Sequence, residues 1–60
     1  MILSADSAPA LGDIRQAGRG VTIWLREGVN SRKDWPRYAD ALMVALTRGA
    51  DIRWVHEARP

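Results

Sequence analysis

Between Asp34 and Gly49 the apolar residues recur every three to four positions, in the run DWPRYADALMVALTRG. At about 100° per residue, Trp35, Tyr38, Ala39, Leu42, Ala45, Leu46 and Gly49 share one side of a helix, and Arg37, Asp40, Thr47 and Arg48 share the other. Ala, Leu and Met lose little freedom in a helix, so composition agrees with spacing. Pro36 fits only the first turn, where its missing N–H has no intrahelical partner. That sets the start at Asp34 or Trp35, with the Asp34 carboxylate as the expected cap. Arg48 suits the negative end of the helix dipole, and Gly49 suits a left-handed terminator. Val44 is the exception to the pattern. It lies opposite the apolar stripe, either as one exposed Val among many or as a second contact surface.

Two other segments alternate instead. Val21, Ile23 and Leu25 point one way, while Thr22, Trp24 and Arg26 point the other, and the residue types favour a strand. From Asp51 to Glu57, Ile52, Trp54 and His56 share one face and Arg53, Val55 and Glu57 the other. Strand, helix and strand in this order predict a βαβ unit with parallel strands and a right-handed crossover. Ahead of it, residues 1–9 read as a flexible lead-in whose first five residues either join the sheet or stay outside it. Leu11, Ile14 and Ala17 have the spacing of a short helix, with Ser7 as cap, Pro9 in the first turn and Gly18 as terminator. Residues 58–60 read as a frayed tail.

The expected fold is therefore α/β, with α+β as the alternative. It is a single domain over residues 1–60 with a two- or three-stranded sheet on one main helix. Such a sheet leaves one face open around Trp24 and leaves both edges bare.

Size sharpens that expectation. A chain of 60 residues buries only about 60% of the surface its unfolded form exposes. It has no cysteine, so no disulfide or thiolate metal site supplements the core. Three Trp and no Phe make indole the main large filler. The formal charge is +2, with both signs interspersed as on an ordinary solvated surface. No apolar run is long enough for a membrane span, and Met1-Ile2-Leu3 is too short for a signal core. The expected setting is the cytoplasm of a bacterium or phage-infected cell, with no membrane partner.

Candidate chemistry is sparse. Gly18-Arg19-Gly20 lacks the third glycine of a dinucleotide fingerprint and precedes a strand rather than following one. His56-Glu57 begins a zinc-binding H-E-x-x-H pattern, but position 60 is proline. Ser4, Ser7 and Ser31 sit in loops without a triad motif around them. Asp34 and Asp40 are six apart and do not neighbour each other on a helix. No enzyme, cofactor or metal is expected.

Arginine and tryptophan carry the positive signal. Arg26, Arg32, Lys33 and Arg37 gather near one end of the main helix with Trp24 and Trp35 close in sequence. Guanidinium forks grip phosphates and aromatic faces stack on bases, so Arg26, Arg32, Lys33, Arg37 and Trp35 are candidates for nucleic acid. Glu27, Asp34 and Asp40 dilute that field. Arginine and aromatics are also the enriched residues of protein interfaces. Trp24, Trp54, Val44, Arg37 and Arg48 are the candidate contacts for a protein partner or a second copy. The run IRQAGRGVTIWLREG from Ile14 to Gly28 resembles the opening helix and strand of docking domains from peptide-synthetase assembly lines. The likeness spans a quarter of the chain, and a long helix follows where a second hairpin strand would stand.

The leading expectation is a non-enzymatic regulator or inhibitor, dimeric, that covers a surface of a larger partner. That class includes mobile-element inhibitors of bacterial immunity, the anti-CRISPR-like proteins. A nucleic-acid binder is the alternative, followed by a docking module or a fragment of an enzyme.

Overall fold

The computed structural model describes residues 1–55 and has three strands and two helices. Strand β1 is Ile2–Leu3, helix α1 Leu11–Gln16, strand β2 Thr22–Arg26, helix α2 Trp35–Thr47 and strand β3 Asp51–Val55, with a 3₁₀ turn at Val29–Ser31. The strands form one parallel sheet in the order β1-β2-β3. The βαβ expectation therefore holds and extends to βαβαβ. Residues 2–3 are not lead-in but the third strand. They pair Ile2 with Trp24 and Leu3 with Leu25.

Both crossovers step the same way along the sheet. With right-handed connections this places α1 and α2 on one face, where they pack against each other. Burial follows. Leu3, Ile23 and Leu25 point under the helices and are buried, whereas Ile2 and Trp24 point away and are exposed. Ile14 and Ala17 from α1, Val29 from the 3₁₀ turn, and Tyr38, Ala41, Leu42 and Ala45 from α2 complete the core.

Helix α2 begins and ends where its sequence indicates, with one change of chemistry. Pro36 stands in its first turn and Asp34 at its cap. The Asp34 carboxylate, however, makes no capping hydrogen bond. It is taken by Arg32, whose guanidinium offers two aligned N–H groups, a better match to a carboxylate than one amide. The C-terminus is a Schellman turn. Gly49 has φ +99°, its N–H donates to Leu46 O at 3.0 Å, and the Ala50 N–H donates to Ala45 O at 3.0 Å.

The buried stripe of α2 is rotated from its expected position. Ala41, outside the expected stripe, is fully buried, while Leu46, within it, is 48% exposed. The cause is α1, which sits beside α2 as a second surface and pulls the Ala41–Ala45 side inward. The two alanines present little bulk, so the helices approach closely. Gly18 marks the same closeness: a Cβ there would lie 3.2 Å from the Arg48 carbonyl oxygen. For α1, Leu11–Gln16 matches the expected spacing, but Ser7 is not its cap. The Ser7 N–H instead donates to the Ser4 hydroxyl oxygen at 3.1 Å, closing a turn after β1.

Candidate functional site

The uncovered face of the sheet is built from alternate residues of all three strands. Register lines up Ile2, Trp24 and Arg53 in one row, Thr22 beside Asp51 in a second, and Arg26 beside Val55 in a third. Ile2 is 58% exposed and Trp24 38%. The indole thus stands mid-sheet, with an apolar neighbour on one side and a guanidinium on the other. Arg53 donates from Nε to Asp51 Oδ2 at 2.6 Å along the same strand. That hydrogen bond raises the Arg53 pKa and ties its side chain to Asp51 in the neighbouring row.

On the strands' carboxyl side lies a second cluster, and it faces inward. Arg32 reaches Asp34 with Nε at 2.9 Å and Nη2 at 3.2 Å, and donates from Nη1 to the Ser4 and Ala5 carbonyl oxygens. Its guanidinium carbon lies 5.5 Å from the centre of the Tyr38 ring. The Tyr38 hydroxyl donates to Pro9 O at 2.6 Å. Arg32 and Tyr38 together tie the loop after β1 to the start of α2. The hydrogen bond from Arg32 is the main cause that lowers the Asp34 carboxyl below its ordinary value, and the same bond raises Arg32.

This geometry sorts the candidates read from the sequence. Of the nucleic-acid set, Arg32 is committed to internal partners, Trp35 packs partly against the core, and Arg26 belongs to the open sheet face. Lys33 and Arg37 are exposed at the start of α2. The five do not make one surface. The protein-contact set divides as well. Trp24 is on the open face; Arg37, Val44 and Arg48 follow one exposed line of α2. Trp54, 50% exposed, lies on the helix side of β3 in register with buried Leu3 and Leu25.

Sequence reasoning left Ile2 and the Asp51–Arg53 pair out of the site. Alternation along β3 places both charges on the face opposite Ile52, which was legible. Membership of Ile2 needed the pairing of β1 with β2. Among the described residues, no group of three or more His, Cys, Asp or Glu is placed to hold a metal ion, and no helix is long and apolar enough to cross a membrane. His56, Glu57 and the tail at 58–60 lie outside the described residues. No family model, curated protein or solved structure significantly matches this chain, so its similarity to docking domains gains no support from these comparisons.

Proposed function

We propose that the chain is a binding protein that docks the open face of its sheet onto a larger protein and acts as a regulator or inhibitor by occluding the surface it covers. One observation carries this reading: a parallel sheet has its described helices on one face and exposes Trp24 at the middle of the other, with Ile2 beside it on the edge strand. Parallel sheets are almost always covered on both faces, because crossover helices or other layers shield them. Among the described residues no third layer covers this face. An indole ringed by guanidinium and aliphatic groups is also the usual composition of an interface hot spot. The test is a photo-crosslinking residue placed at position 24 in the native host, with position 15 on exposed α1 as control. The expected result is one discrete protein adduct at position 24 and none at 15. Equal labelling from both positions would remove the basis for the proposal.

Nucleic acid is the second reading, now with a different set of residues. Arg26 and Arg53 flank Trp24 on the open face, which is the arrangement of a stacking base with phosphate contacts. Against it stands Asp51, which already holds Arg53. Filter binding of single-stranded DNA and RNA over a salt series separates the readings. Affinity that falls steeply with salt and is lost in Trp24→Ala favours nucleic acid.

A further inference from the structure

The outer edge of β3 is self-complementary, and from it we propose that the chain forms a two-fold dimer by antiparallel pairing of β3 with β3 of a second copy, centred on Ile52. The proposal is independent of what docks on the open face.

Three features of the edge lead there. The first is the main chain. The Asp51 N–H points inward and donates to Val21 O at 2.9 Å. Alternation then turns the N–H and C=O groups of Ile52 and Trp54 outward, at the end of the sheet where no further strand stands among the described residues. The opposite edge, β1, is only two residues long, and short edges template little pairing. Strand β3 has five residues.

The second feature is charge, and it selects the register. A two-fold axis perpendicular to the sheet keeps the helices of both copies on the same side. Opposed residues must then share a face, so the axis passes through a residue rather than between two. An axis at Arg53 sets that guanidinium against itself. One at Trp54 sets Arg53 against Val55 and leaves Asp51 unopposed within the strand. Only an axis at Ile52 places Asp51 of each copy opposite Arg53 of the other, twice. Those are non-hydrogen-bonded sites, where facing side chains come closest. Charges on an edge strand ordinarily repel other edges. Here their opposite signs at a spacing of two make the edge fit its own reverse.

The third feature is the helix side of the same edge. In the Ile52 register, Ile52 meets its own copy, and the half-exposed Trp54 stands opposite Ala50 of the second copy. Above it lies the flank of α2 turned away from the Ala41–Ala45 side that packs on α1. That flank carries Met43, 62% exposed, and Leu46, 48% exposed. Pairing would cover both, and would join the two three-stranded sheets into one with both Trp24 rings on the same open face.

Sedimentation velocity of the full chain over a dilution series tests this. The wild type is expected to shift from one-chain to two-chain mass with concentration. Arg53→Asp and Asp51→Arg each turn both cross-strand pairs repulsive, and each variant alone should self-associate on the order of tenfold more weakly. An equimolar mixture of the two variants restores opposite charges at every pair, and should regain the dimer as a mixed species. Far-UV circular dichroism confirms that each variant is folded. The proposal is overturned by a wild type that stays at one-chain mass throughout, by single variants that associate as well as wild type, or by a mixture that stays monomeric. Trp24→Ser should leave the dimer intact, so loss of the dimer and loss of a partner on the open face are read separately.

Discussion

Arg32 holds three parts of the chain at once: the loop after β1 through two carbonyls, the start of α2 through Asp34, and the face of Tyr38. The Asp34 carboxyl is depressed below its ordinary value by that pairing. A depressed acid contributes stability above its unfolded pKa, and that contribution is lost as pH falls through the folded value. Asp34→Asn should therefore lower the urea midpoint at neutral pH and leave a shallower decline between roughly pH 5 and 2. Parallel decline in wild type and variant would show that the pair does not couple to folding. Arg32→Lys keeps the charge but not the fork, so its midpoint should also fall. Had the sequence alone been trusted, Asp34 would be a cap and Arg32 a phosphate ligand. In the fold Asp34 keeps the cap position without the capping bond, and Arg32 turns to Asp34, because two residues adjacent to a helix start can satisfy each other more fully than one carboxylate satisfies a single amide.

At the scale of elements, the Schellman turn between α2 and β3 depends on one left-handed residue. Gly49→Ala meets no clash closer than 3.6 Å, so its cost is conformational, about 1 kcal/mol, as read by denaturant titration. An unchanged midpoint would mean that the turn does not need positive φ. Ile23→Ala removes a fully buried side chain from the centre of the sheet and should cost about 2–5 kcal/mol. A domain of this length holds only roughly 3–9 kcal/mol in all, so the variant is expected to be largely unfolded at 37 °C by circular dichroism. A cooperative native-like melt would show that the core is less dependent on the middle strand than its burial indicates. Element positions were legible because period and punctuation coincide: Pro36 and Gly49 bracket α2, and alternation marks β2 and β3. The rotation of the buried stripe on α2 was not, since it depends on how close α1 comes.

The molecule as a whole is a two-layer structure in which one layer has a bare side. Trp24→Ser should lower stability by roughly 1–3 kcal/mol, because the indole is only 38% exposed and still covers apolar surface of the sheet. The same substitution should abolish the adduct formed through the open face. A loss large enough to unfold the chain at 25 °C would recast the indole as a core residue. Self-association, by contrast, should respond to Asp51 and Arg53 at the β3 edge and not to Trp24. Two exposed apolar surfaces on one small chain thus receive different assignments, because one is a sheet face and the other a sheet edge with its adjoining helix flank.

By itself the sequence determined the periodic elements, their α/β class, the parallel pairing of β2 with β3 and the outward direction of Trp24. All of these follow from local repeat lengths and from the short distances over which a helix or strand declares itself. Only the tertiary structure decided that Ile2–Leu3 is a strand, that Arg32 faces inward, that Leu46 is exposed while Ala41 is buried, and that Asp51 and Arg53 line the outer strand of the sheet. Each of these depends on a neighbour distant in sequence. A two-residue strand has no period of its own, and a charged side chain chooses between solvent and partner only once the fold has brought that partner within reach.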